Sequence, residues 1–247
     1  MKIQDIHAFL DQKAPFATAE DWDNPGLLVG DPAAPVTTVV VALDATPAAL
    51  EAARQAGAEL LLTHHPVIFH PLKVLTPAHI PYQAAAAGIA VLSAHTNLDK
   101  AAGGVNDTLA ARLGLTDVHP GPDGMSRIGL LPEQTDARRF AAAVGEALHT
   151  AVRVNGSRPV RRVAVCGGSG GEFLPALAAE ADAYVTGEAR HHEWLLAEQR
   201  GLTLLEAGHY ATEVPVVDTL CRWLTDAFPG LSVIPFPDTA PYDTITR

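Results

Sequence analysis

One metal-ligand pattern occurs twice in this chain, each time directly after an apolar run. His95-Thr96-Asn97-Leu98-Asp99 follows the run 89–92, and His209-Tyr210-Ala211-Thr212-Glu213 follows the run 202–205. Both read His-x-x-x-carboxylate. The surrounding spacing repeats as well. The run 40–43 leads into Asp44 and, 20 positions on, His64; the run 163–166 leads into Gly167 and, 20 positions on, Gly187. Ala58-Glu-Leu-Leu-Leu-Thr63 matches Ala181-Asp-Ala-Tyr-Val-Thr186. Three elements in matched register are harder to obtain by chance than any single motif. The expectation is an α/β fold of two similar lobes arising by internal duplication, with mixed sheets flanked by helices and a metal site between the lobes.

Local signals fit strand-helix-strand units. Ile3, Ile6, Phe9 and Leu10 have the spacing of an amphipathic helix that stops at Pro15. The segment 36–43 is a largely β-branched run, apolar without alternation from Val39 onward, as in a strand covered on both faces. Thr46 then offers an N-cap hydroxyl, Pro47 sits at the first helical position, where its missing N–H costs nothing, and Gly57 ends the helix. Residues 116–126 are rich in turn formers and have no apolar period, which places a lobe boundary there: 1–125 and 126–247.

Composition narrows the function. The net charge of −11 and the absence of any basic run argue against nucleic acid as a main partner. No stretch approaches the roughly 18 uninterrupted apolar residues of a membrane span, and the first residues lack a secretory apolar core. A cytoplasmic protein is expected. Cys166 and Cys221 fall in apolar periodic segments, so neither a disulfide nor a thiolate metal site is expected.

His64-His65 also ends an apolar run, at 58–62, so six metal-competent side chains stand at the tips of three expected strands: His64, His65, His95, Asp99, His209 and Glu213. Imidazole and carboxylate together suit Zn²⁺, Mn²⁺, Fe²⁺, Co²⁺ or Ni²⁺, and the absence of Cys argues against a closed structural zinc site. If each His-x-x-x-carboxylate opens a helix, its two ligands share a face. Adjacent His64 and His65 point to opposite sides of an extended backbone, which suits one imidazole for each of two ions. Six donors are too few to saturate two ions, so water or substrate must complete the shells, and such an open site can generate a nucleophile at neutral pH. Two divalent ions against two carboxylates leave a surplus of positive charge that would draw anionic groups, phosphates above all. Any one of these histidines alone reads more simply as an ordinary polar loop residue; taken jointly, that reading fails. For His95 the competing role is to hold Asp99 from behind.

Other features are weaker. Gly167-Gly168-Ser169-Gly170-Gly171 sits between strand and helix, where backbone amides can cradle phosphate, but it matches neither standard phosphate-loop pattern, and a plain tight turn is favoured. Glu188 and His192 are candidate general acid or base groups; interleaved Arg190, His191 and Glu193 favour a solvated first helical turn.

Trp22-Asp-Asn-Pro-Gly-Leu-Leu-Val-Gly30, Leu62-Thr-His-His-Pro66, Ser93-Ala-His-Thr-Asn-Leu-Asp99, Val185-Thr-Gly-Glu188 with His191-His192, and Gly208-His209 through Glu213 together resemble the signature blocks of the Nif three-like dinuclear metal centre hexameric proteins, some of which are called GTP cyclohydrolase 1 type 2. The likeness spans nearly the whole chain. It implies that His64, His65, Asp99, His209 and Glu213 ligate two metals with His95 close by, and that the lobes share the site. It also implies a toroidal homohexamer, a trimer of dimers whose metal sites face an internal cavity. The domain that some relatives insert between the lobes has no counterpart here.

Two classes of function remain open on sequence. One is a metal-dependent hydrolase acting on an anionic, nucleotide-like small molecule; the other is a non-catalytic ring that binds or delivers metal or binds a partner.

Overall fold

The computed structural model describes residues 1–243; positions 244–247, the end of the expected second lobe, lie outside the described residues. The strands are β1 (Gly26–Val29), β2 (Thr38–Ala42), β3 (Leu60–Thr63), β4 (Ala90–Ser93), β5 (Thr116–Pro120), β6 (Arg127–Asp136), β7 (Arg153–Val154), β8 (Pro159–Cys166), β9 (Ala183–Thr186), β10 (Thr203–Glu206) and β11 (Ser232–Pro235). They form two mixed sheets, each flanked by helices, as the sequence pattern leads one to expect.

The chain divides into two compact units. The first comprises Met1–Ala102 and Val216–Thr239. Its sheet has the order β1-β4-β3-β2-β11, with β2, β3, β4 and β11 parallel and β1 antiparallel at one edge. Every residue of β3 and β4 is buried, which accounts for their unbroken apolar character. On one face Val40, Leu61 and Val91 pack with Ala49, Leu50 and Ala53 of the helix Pro47–Gln55. That helix starts as the sequence indicates: Thr46 Oγ1 accepts from Ala49 N at 3.0 Å, and Pro47 occupies the first turn. Val39, Val41, Leu60, Leu62 and Leu92 alternate with the first set along the strands and are equally buried on the opposite face.

The second unit comprises Gly103–Pro215 and, among the described residues, 240–243. Its sheet has the order β5-β6-β8-β9-β10-β7, and β8, β9 and β10 are parallel. Val163, Val165, Val185 and Leu205 pack with the helix Ala137–Leu148 on one face; Ala164, Cys166, Tyr184 and Leu204 pack with Leu174, Leu177 and Ala197 on the other. The parallel triplet β8-β9-β10 is the counterpart of β2-β3-β4.

Two features depart from the expected layout. The turn-rich stretch 116–126 contains β5, an edge strand exposed along its whole length and paired antiparallel to β6. With no buried face it shows no alternation, and so it reads as a loop. The contact partition also differs from a boundary at 125/126, because residues 103–125 pack with the second unit while the helix Val216–Ala227 and β11 pack with the first, β11 lying parallel to β2 with Ser232 opposite Thr38.

Candidate metal centre

In the first unit the carboxyl ends of β2, β3 and β4 deliver the chemistry. The β2–β3 ladder continues past β3 through His64 N–H to Ala42 O (3.3 Å) and His65 N–H to Leu43 O (3.0 Å). At that point the backbone bends. Thr63 Oγ1 (2.8 Å) and Ser93 Oγ (3.2 Å) both donate to His65 O. Strand alternation has ended, so His64 and His65 do not diverge as expected: their ring centroids are 4.8 Å apart, and that of His95 lies 5.1 Å from His64 and 5.5 Å from His65. The three imidazoles each offer a nitrogen within 4.8 Å of the others.

Each ring is held from behind by an oxygen acceptor. His64 Nδ1 donates to Ala94 O at 2.9 Å, His65 Nδ1 to Asp44 Oδ1 at 2.8 Å and His95 Nδ1 to Asp23 Oδ1 at 2.8 Å. A proton on Nδ1 leaves the lone pair on Nε2, which is the tautomer a metal requires. Asp23 is built for this role. Burial would raise its carboxyl, but hydrogen bonds from His95 and from Thr96, through both its N–H (3.0 Å) and its hydroxyl, outweigh it and hold the group down at about 2. Asp99 lies one turn beyond His95, its N–H bonded to His95 O at 3.0 Å, and places Oδ1 3.6 Å from His64 Nε2. His64 is completely buried. His95 thus stands among the other imidazoles, its ring fixed by Asp23.

The second unit repeats the device. Gly208, at φ +85°, turns the chain from β10 into the short helix His209–Glu213. Its i,i+4 geometry brings His209 Nε2 to 3.0 Å from Glu213 Oε2, as the spacing requires. His209 Nδ1 donates to Glu188 Oε1 at 3.1 Å, and Glu188 also accepts from Ser169 Oγ. Glu188 is therefore a group that orients His209. His192, in contrast, is exposed on the first turn of the helix His191–Arg200, and its Nε2 lies 3.9 Å from Glu193. It is a solvated helical residue.

The glycine run is a tight turn rather than a phosphate cradle. Three of its five amides are taken by protein acceptors: Gly167 N–H by Asn106 Oδ1 (2.8 Å), Gly168 N–H by Thr212 Oγ1 (3.1 Å) and Gly170 N–H by Thr186 Oγ1 (3.1 Å). Gly168 has a further constraint. It sits at φ +61°, and a Cβ there would stand 2.2 Å from Glu213 Oε1 and 3.2 Å from His209 Nε2. The turn makes room for the His209 and Glu213 side chains.

In each unit taken by itself, the side chains present suit a divalent cation. Four imidazoles carry Nδ1 on an oxygen acceptor, two carboxylates stand beside Nε2 atoms, and a glycine removes the side chain that would crowd His209 and Glu213. Asp23, Asp44 and Glu188 were not legible as partners from sequence. Asp23 and Glu188 lie inside the signature blocks, but nothing in local spacing connects residue 23 to residue 95.

The family model for Duf34/NIF3 (NGG1p interacting factor 3) matches residues 1–241. This chain belongs to the Duf34/NIF3 family. Among its relatives, the Lactococcus lactis protein called GTP cyclohydrolase 1 type 2 homolog is 34% identical over 222 residues, covering 85% of this chain and 86% of that one. The Drosophila melanogaster NIF3-like protein 1 is 30% identical over 238 residues, covering 89% and 80%. The crystal structure of the Staphylococcus aureus protein SA1388 superimposes with a TM-score of 0.92 at 28% identity, covering 99% of both chains. As a Duf34/NIF3 protein the chain carries the family's mixed α/β fold and His/Asp/Glu groups able to hold metal. Among the described residues no helix is long and apolar enough to cross a membrane.

Proposed function

We propose that this Duf34/NIF3 chain binds two divalent cations, drawn from Zn²⁺, Mn²⁺, Fe²⁺, Co²⁺ and Ni²⁺, through His64, His65, His95, Asp99, His209 and Glu213, and hydrolyses an anionic, nucleotide-like small molecule. The names of its relatives support the substrate class. The single observation that carries the reading is the fixing of Nδ1 on four imidazoles by Ala94 O, Asp44, Asp23 and Glu188. A histidine used only for packing has no need of such an arrangement in four copies.

When bound, the ions supply Lewis acidity, open positions for an anionic oxygen and a water acidified to a pKa of roughly 7. The protein's part is preorganisation. Asp23, Asp44 and Glu188 fix which ring nitrogen is basic and where it points, and burial of His64 and Glu213 keeps bulk water from competing for them. The three pinning carboxylates also cancel the positive surplus that counting ligands alone suggests. The anionic end is thus recruited by direct coordination rather than by net charge. The ring-forming habit of the family that the sequence resembles supports a homohexameric trimer of dimers.

The test is to load purified protein with Mn²⁺, Zn²⁺ or Fe²⁺, screen nucleotides and phosphoesters for hydrolysis, and assay His65→Ala beside it. Metal-dependent turnover lost in the variant supports the proposal. Turnover that persists in the variant overturns it, and tight metal retention with no turnover favours a ring that binds or delivers metal.

A further inference from the structure

Two large aromatic side chains beside the first unit's imidazole cluster are left facing solvent. Trp22 is 58% exposed and Phe69 40%. Their ring centroids are 5.7 Å apart with planes at 46°, and each lies 6.1 Å from the His95 ring, edge-on at 72° and 73°. Single exposed aromatics are ordinary on protein surfaces. Here, however, two lie side by side, and the chain next to each is anchored. Trp22 precedes Asp23, whose carboxylate is locked by His95 and Thr96. The next residue, Asn24, donates its side-chain N–H to Ile68 O at 2.6 Å, tying the Trp22 turn to the loop that carries Phe69. The exposed Leu72, Val74 and Leu75 extend the apolar surface along that loop. An aromatic pair on anchored chain gives a ligand contact area at little cost in conformational entropy.

We propose that Trp22 and Phe69 form the wall that receives a planar aromatic ring of the substrate, while the anionic end of the same molecule lies at the imidazole cluster. The substrate class is then a ring-bearing phosphoester, of which a nucleotide is one kind, rather than an aliphatic phosphate. This deepens the metal-hydrolase reading and rests on it for the anionic end. The indole and phenyl faces select the ring, since stacking is available to any flat π system and does not depend on a particular hydrogen-bonding edge.

The experiment uses phosphonates, whose P–C bond resists hydrolysis, so that binding is read without turnover. Methylphosphonate, cyclohexylphosphonate and phenylphosphonate are titrated calorimetrically into Mn²⁺-loaded full-length protein, Trp22→Leu and Phe69→Leu, with bound metal measured for each. The expected result is that phenylphosphonate binds the wild type roughly tenfold more tightly than methylphosphonate, and more tightly than cyclohexylphosphonate of similar size. Each variant shrinks that preference severalfold while keeping the methylphosphonate affinity, the metal content and the melting temperature, because both side chains are largely exposed. Equal affinity for phenyl and cyclohexyl probes, or a preference that survives in both variants, overturns the aromatic wall. Failure of the metal reading shows differently, as methylphosphonate binding that is the same with and without Mn²⁺.

Discussion

The Asp23 carboxylate accepts the Nδ1–H of His95 at 2.8 Å across 72 positions of sequence, and the same group takes the N–H and hydroxyl of Thr96. One side chain thereby sets the ring orientation of a candidate ligand and caps the helix that carries Asp99. Asp23→Asn keeps the shape but removes the charge and allows the amide to present N–H to Nδ1. The expected outcome is a metal affinity about 10–100-fold weaker, measured by chelator competition, with the fold retained by circular dichroism. An unchanged affinity would mean that His95 needs no orienting partner.

Glu188 and His192 were equivalent candidates on sequence, and the structure separates them. Glu188 holds His209 Nδ1 at 3.1 Å, whereas His192 is 70% exposed on its side chain and lies 3.9 Å from Glu193. Glu188→Ala should weaken metal binding by about tenfold or more, and His192→Ala should leave it unchanged. The pair is best read side by side in one chelator titration; equal effects, large or small, would refute the assignment.

The six candidate ligands stand out in the sequence because ligand chemistry restricts residue type and because i,i+4 spacing is local, so His209 and Glu213 announce each other. The groups that orient them were not. A carboxylate can orient an imidazole from any loop that reaches it, and residue 23 carries no mark of residue 95. The same limit explains β11. Ser232–Pro235 is short and carries no clean alternation, and nothing local says that Ser232 aligns with Thr38 on β2. The bend after Thr63 was missed for a related reason: strand periodicity holds only while the ladder lasts, and His64 and His65 lie just past its end.

Gly168→Ala tests whether the turn exists to admit ligands. The residue has φ +61°, and the added Cβ would meet Glu213 Oε1 at 2.2 Å. Left-handed backbone alone makes Ala less stable there by about 1 kcal/mol. The larger effect is expected on the site, because the Glu213 carboxylate must move. Urea unfolding should show a modest loss of stability, while metal binding falls well beyond that shown by a control such as Gly57→Ala, which shares the positive φ but meets nothing within 4 Å. Similar metal binding in the two variants would show that Glu213 is not required.

Glu59 gives a pH dependence independent of metal. Its carboxylate accepts from Thr37 N (3.0 Å), Thr38 N (2.9 Å) and Thr37 Oγ1 (2.9 Å) at the start of β2. Burial raises its pKa, and these hydrogen bonds outweigh that and leave it below the usual carboxylate value of 4.5. A folded-state pKa below the unfolded one means that the contribution to stability is fully present above about pH 4.5 and is lost as pH falls through the depressed value. Glu59→Gln should therefore be less stable than wild type at pH 7, with the gap closing in acid. A gap that is constant from pH 7 to pH 3 would show that the ionised form has no advantage.

Metal that binds only the folded chain must raise its melting temperature. At a free concentration 100 times Kd the stabilisation is about 2.7 kcal/mol. Protein stripped with a chelator should melt several degrees lower, and readdition of Mn²⁺ or Zn²⁺ should restore the transition in proportion to the logarithm of concentration. Asp99→Asn should blunt that shift, because Asp99 Oδ1 lies 3.6 Å from His64 Nε2. In the stripped state the variant should match or exceed wild-type stability, since it takes a negative charge away from the Nε2 lone pair of His64. A variant that is less stable without metal and shifts normally with it would mean that Asp99 serves the fold and not the ion.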